Sequence, residues 1–357
     1  MNPTLKKFVS LAAKIGVSVA LLGYLFYSAS QKPEFWELIH GWRHWLWLRL
    51  GVAVLLVLAA VAITVYRWQL LARTLGLEFS TREALRVGFL GYAVNLMPLG
   101  VVGGDAVKAV FLSRLNPTRK TEAVATVFVD RVIGLVALLI LAALGTLVID
   151  IDQIGQDNKE LQAKLLLLCR IVQGAALGGI TAAAILFIPG FTNSSLWNVL
   201  ARIPVVGQII HKLMSAMHVF RGRADRLLLA MGMSLCVHLL FVSMIYLIGG
   251  ALLDASGRLT PQPRLLDHAV FVPVAMAAGT LPQGFFEWLL TIFYEAFSPG
   301  DTGNKGLLIA LVYRVIQVVV AALGMAPFLL LPNASSVIKG DELLDKSLLP
   351  QNDVAAP

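Results

Sequence analysis

"NLMPLGVVGGDAVKAVFLSR", residues 95–114, decides how this chain folds. The stretch is too polar for a simple membrane span and too apolar for a surface loop. It carries Pro98, Gly100, Gly103 and Gly104, all unfavourable inside a helix, and then Asp105 and Lys108. A second run of the same kind, 268–297, is interrupted at "GTLPQG", with Pro282 and Gly284 at the break and Glu287 just beyond it. Each run predicts two half-helices joined at a break, not one continuous helix.

The surroundings of these runs set the class. Of 357 residues, 58% are hydrophobic and 14% charged, where a soluble domain carries roughly 25% charged residues. Apolar stretches at 8–27, 45–66, 123–149, 165–188, 227–252 and 306–331 are each long enough to cross a hydrocarbon core of ~30 Å. The expectation is an all-α polytopic membrane protein: one transmembrane domain over 1–332 and a disordered, polar, cytoplasmic tail at 333–357. Lys6 and Lys7 ahead of an apolar run ending in "YSASQ" also fit a secretory signal peptide, but Lys14 and the length of the run favour a retained first span. Cys169 and Cys236 both fall in apolar spans and read as small buried hydrophobes, not as a disulfide or metal site. The net charge of +8 is spread over short loops, which points to lipid headgroups and topology and away from nucleic acid.

Charge also orders the spans. If both broken runs dip into the membrane and return, six full transmembrane helices remain and both termini lie in the cytoplasm. Leaving out Lys108 within the hairpin, the cytoplasmic segments then hold 17 Lys and Arg and the external ones 8, with "DIDQIGQDNKE" outside. Letting the first run cross instead would move Arg114, Arg119, Lys120 and the basic segment before 227 to the outside. The first run is therefore expected to be a re-entrant helical hairpin. For the second, the charges near the C-terminus are too few to decide.

A repeat speaks for the second. Each half, 45–149 and 227–331, reads as a span, a broken hairpin and a span carrying a central arginine. Pro98 precedes Arg131 by 33 residues and Pro282 precedes Arg314 by 32. An acid follows each proline, Asp105 at +7 and Glu287 at +5. With both hairpins re-entrant the halves form an inverted repeat, a pattern of transporters whose sites lie between discontinuous helices. Residues 196–226 have helical apolar spacing and a basic end, and read as an amphipathic interfacial helix. His211 and His218 within it lack further ligands nearby for zinc.

A central charged residue costs on the order of 2.5–3.5 kcal/mol when it faces lipid. Asp105, Lys108, Asp130, Arg131, Glu287 and Arg314 are thus expected to face one another or a wet cavity. The plainer alternative is structural pairing, such as Asp105 with Lys108 one turn away. A half-helix starting at Gly104 would present free N–H donors to an anion, with Lys108 and Arg131 as further contacts. That set suits a phosphate, and in a membrane the commonest phosphate belongs to a lipid.

At these residues the chain resembles the lysylphosphatidylglycerol synthase/flippase-type transmembrane domain family, stand-alone relatives of the membrane half of the bacterial multiple peptide resistance factor. The matching features are Asn95, Met97-Pro98, Gly104-Asp105 and Lys108, then "AVATVFVDRVIGL" with Asp130-Arg131, and later Pro282, Gly284, Glu287 and Arg314. Asp130 stands where Glu is common and Lys108 where Arg is common, and "PLGVVGGD" is longer than the usual turn. Lysine offers a point charge in place of a bidentate fork. The resemblance implies lipid translocation, the activity of some relatives, in the bacterial inner (plasma) membrane, with Asn95, Gly104, Asp105, Lys108, Asp130, Arg131, Glu287 and Arg314 at the headgroup site.

The expected partner is an anionic or phosphate-bearing lipid, with no cofactor and no metal. The expected activity is translocation of a phospholipid or polyprenyl-phosphate-linked lipid. With about 25 residues after the last span, the soluble aminoacyltransferase domain of the fused relatives is expected to be absent, so the chain reads as a non-enzyme. The alternatives are a membrane component of a lipid-modifying system and a non-transporting envelope scaffold.

Overall fold

The computed structural model describes residues 33–96, 100–148, 159–187, 222–253, 257–260, 262–278, 284–298 and 304–329, with isolated positions before and between them. Regular structure among them is helical apart from one bridge between Leu253 and Leu259. A short helix, α1 (Pro33–His40), leads into α2 (Trp47–Thr74). The paired helices α3 (Thr81–Asn95) and α4 (Gly100–Leu115) follow, then the long α5 (Lys120–Thr146) and α6 (Lys159–Phe187). After α7 (Ala224–Ala251) come a second pair, α8 (Leu265–Ala278) and α9 (Phe285–Phe297), and finally α10 (Asn304–Leu329).

Five of these, α2, α5, α6, α7 and α10, are long and apolar enough to cross a membrane. Most of the expected span at 8–27, most of the segment at 196–226 and the tail at 333–357 lie outside the described residues. Helices α3, α4, α8 and α9 have 13 to 16 residues, or about 20–24 Å, too short to cross. Two expectations need correction. The span expected to stop at residue 66 continues to Thr74, because Arg67 is buried and paired, not a boundary. Cys236 is exposed on the outward side of α7, while Cys169 is buried.

Helices α2 and α7 run antiparallel along a common seam. At one end the Leu46 N–H donates to the Ala251 carbonyl (3.0 Å) and Arg49 donates to the Gly250 carbonyl (2.7 Å). Near the other end Arg67 of α2 donates to Ser234 Oγ of α7 (2.5 Å). The remaining packing comes in corresponding pairs. Helix α3 packs on α4 as α8 does on α9; α4 packs on α5 as α9 does on α10; α5 packs on α8 as α10 does on α3.

Side-chain clasps join the chain segments leading into and out of each short-helix pair. Asn116, after α4, accepts from the Glu78 N–H (3.0 Å) and donates to the Glu78 carbonyl (3.2 Å), and Arg119 donates to the Gly76 carbonyl (3.0 Å). At the second pair Lys305 Nζ donates to the Thr260 carbonyl (2.9 Å). The first clasp lies beyond the C-terminal end of α2 and the second beyond that of α7, so they sit at opposite ends of the seam.

Local chemistry explains these elements. Ser80 and Glu83 form a capping box that starts α3. A Cβ on Gly104 would collide with the Gly91 carbonyl and the Asn95 side chain, so the arms of the first hairpin cross through these two glycines. Pro273 in α8 cannot donate to the carbonyl four residues earlier, that of Ala269, and α5 brings Gly145 against this freed carbonyl. Apolar side chains form two cores, one around Trp68, Leu71 and Leu112, the other around Ile245, Phe271 and Tyr294. Leu55, Val110, Leu135, Leu144, Val315 and Leu323 point outward and are exposed.

Candidate functional site

Two ion pairs stand in corresponding places. Asp105 of α4 accepts from Arg131 of α5 in a two-pronged contact, Nε to Oδ2 at 2.7 Å and Nη2 to Oδ1 at 2.6 Å. Glu287 of α9 accepts from Arg314 Nε of α10 at 2.5 Å. The second carboxylate oxygen of Glu287 accepts the Gly284 N–H (3.0 Å), where Gly284 at φ 108° turns the chain into α9. One acid thus caps its own helix and holds the arginine of the next. Arg131 and Arg314 lie roughly 15–17 Å along their helices, near the middle of each.

A third pair links α2 to α5. Arg67 Nε donates to Asp130 Oδ1 at 2.8 Å, with both side chains buried. The guanidinium fits because Gly134 leaves room: a Cβ there would stand 3.4 Å from Arg67 Nη2. His238 of α7 contacts the Gly134 carbonyl through Nε2 at 2.9 Å. A carbonyl only accepts, so Nε2 carries a proton, and in the neutral ring Nδ1 is left as an acceptor. That Nδ1 and the Tyr92 hydroxyl are buried without hydrogen-bond partners among the described residues.

Lys108 completes the group. It is 6% exposed, its ammonium lies 5.3 Å from the centroid of the Trp68 ring, and it forms no salt bridge among the described residues. Asn95, Lys108, Asp130, Arg131 and Arg314 line one cavity of about 410 Å³, into which His238 and Tyr92 also face. Asp105 and Glu287 are outside its lining and hold the arginines from behind. The side chain of Arg131 is 42% exposed, so the cavity is open there.

Several finer expectations change. Helix α4 starts at Gly100, one turn before Gly104, with Gly103 inside its first turn. The Gly104 N–H donates to Asn95 Oδ1 (3.0 Å) and is not a free donor for an anion. The Asp105–Lys108 pair does not form, because Asp105 is committed to Arg131. Asp130 is held by Arg67, a partner the sequence did not suggest. Pro98 and Pro282 lie outside the described residues.

Arg67, His238, Tyr92 and Gln317, which accepts from Arg314 Nη1 at 3.1 Å, also belong to the cavity and are not among the residues expected from the sequence. A signal for Arg67 existed. The apolar helical spacing continues past it through Trp68, Leu71 and Ala72. His238, alone among apolar residues in "CVHLLF", was marked by the same cost of burying a polar group.

The family model described as lysylphosphatidylglycerol synthase TM region matches residues 11–324. The chain belongs to that family. No curated protein and no solved structure matches it. Membership and five long apolar helices make it an integral membrane protein of a lipid-related family. For a member of this family, four cations, Arg67, Lys108, Arg131 and Arg314, gather against three carboxylates, Asp105, Asp130 and Glu287. Each arginine has its own carboxylate; among the described residues the lysine has none. Such an arrangement can receive one anionic group and surround it with further donors.

Proposed function

We propose that this protein moves a phosphate-bearing lipid between the leaflets of the bacterial inner membrane, holding the headgroup in the cavity lined by Lys108, Arg131 and Arg314. The observation that carries the reading is the unmatched charge of Lys108. A cation–π contact is worth about 0.5–2 kcal/mol, less than the several kcal/mol that an ion loses when it is taken out of water into a protein interior. The ring contact therefore leaves a deficit that an anion would fill. A headgroup phosphate supplies it, and the accessible face of Arg131 offers a second donor. His238 Nδ1 and the Tyr92 hydroxyl are available to hydroxyl or amine groups of the headgroup.

In this reading the two short-helix pairs are re-entrant hairpins, the first dipping in from the cytoplasm and the second from outside, and both termini are cytoplasmic. The two clasps at opposite ends of the antiparallel α2–α7 seam support it. So does the packing in corresponding pairs, which fits an inverted repeat with the site between the halves. Six spans result once the span expected from the sequence at 8–27 is added to the five long apolar helices. The mechanism needs no bond making or breaking: the headgroup exchanges water for the cavity's donors while the acyl chains stay in lipid.

Reconstitution tests it. Vesicles carrying the purified chain and a panel of labelled lipids (phosphatidylglycerol, phosphatidylethanolamine, a polyprenyl phosphate and an uncharged glycolipid) should show accelerated crossing of a phosphate lipid over protein-free vesicles. Equal crossing with and without protein for every phosphate lipid would overturn the proposal.

A further inference from the structure

Away from the central cavity, a groove of about 480 Å³ lies between the last turns of α2 and the first turns of α7. Arg73, Arg223 and Arg226 line it, together with the apolar side chains of Leu70, Leu229 and Met233. Arg73 uses Nε on the Phe79 carbonyl (2.9 Å), and Arg226 uses Nε on Asp225 (3.2 Å). The terminal nitrogens of both, and the whole guanidinium of Arg223, have no hydrogen-bond partner among the described residues. Three cations thus converge on one groove with one carboxylate beside them.

The opposite end of the same seam is built differently. There Arg49 is spent on the Gly250 carbonyl and the Leu46 N–H on that of Ala251, so the helix ends are tied together. At the Arg73 end no such tie forms among the described residues, and the arginines face open space. Their level, at the ends of two membrane-crossing helices, is that of lipid headgroups. Leu228 and Leu229 beside the groove are exposed, offering acyl chains a surface next to the charges. Fork-shaped donors suit a phosphate.

We propose that this groove is a second phosphate site, holding the headgroup of an anionic phospholipid from the leaflet at that end of the bundle. It is distinct from the central cavity, since the Arg67–Ser234 contact crosses the seam between them. Its occupancy does not depend on translocation.

Native mass spectrometry of the full chain in detergent, supplied with phosphatidylglycerol or phosphatidylcholine, tests this. The wild type should retain phosphatidylglycerol preferentially, and R223Q/R226Q should weaken that retention by about tenfold or more. A control, R82Q/R114Q, removes two exposed arginines outside the groove and should retain it like the wild type. R223Q/R226Q alters only exposed side chains, and its circular dichroism should match the wild type. Equal retention by both double variants, or equal loss in both, would overturn the site. Competition by inorganic phosphate at the lipid's own concentration would overturn its assignment to a lipid.

Discussion

Glu287 holds Arg314 with one carboxylate oxygen and caps its own helix with the other. Glu287→Gln should keep a cap acceptor but lose the ion pair, leaving Arg314 uncompensated. Because Arg314 is partly exposed, the expected loss is about 1–3 kcal/mol, less than for a fully buried pair. Thermal unfolding in detergent should show a lower Tm for E287Q and partial recovery in E287Q/R314Q.

The Arg67–Asp130 pair is buried on both sides, so breaking it should cost more. Either R67Q or D130N is expected to lose about 3–5 kcal/mol. Replacing both at once should cost less than the two single losses added, because neither charge is then left alone. Strict additivity in the double-mutant cycle would mean that the two do not act as a pair.

Gly104→Ala should splay the arms of the first hairpin, since its Cβ would meet the Gly91 carbonyl and Asn95. A loss of about 1–3 kcal/mol is expected from overpacking. Gly232, whose Cβ would meet nothing within 4 Å, is the contrast, and Gly232→Ala should leave Tm unchanged or slightly raised. Similar losses at both positions would argue against close crossing of α3 and α4.

Single cysteines at Thr81 and Thr118, in a chain with Cys169 and Cys236 replaced, should react with an impermeant thiol reagent from the same side of the membrane. A cysteine at the exposed Leu259, near the other clasp, should react from the opposite side. Labelling of Thr81 and Thr118 from different sides would sink the re-entrant reading of the first hairpin.

What could be read in the sequence follows from what burial costs. Asp105, Arg131, Glu287 and Arg314 announce themselves because a charge inside an apolar run is expensive and so must have a reason. Their spacing after the two breaks also points to the matching pairs. Arg67 failed to stand out for the opposite reason. A charge at the edge of an apolar run looks like the end of a span, and its partner Asp130 lies 63 residues away. The start of α4 was ambiguous because Gly100, Gly103 and Gly104 are equally poor helix formers. Asn95 of the neighbouring helix accepts the Gly104 N–H four residues past the start at Gly100. Local propensity carries no record of that contact.

If Lys108 supplies the charge that receives the headgroup phosphate, Lys108→Gln in reconstituted vesicles removes that charge alone. The glutamine keeps most of the chain length and removes the cation, while all three arginine–carboxylate pairs remain. The variant should fold, and its translocation of a phosphate-bearing lipid should fall by tenfold or more. Translocation by Lys108→Gln at the wild-type rate would contradict it.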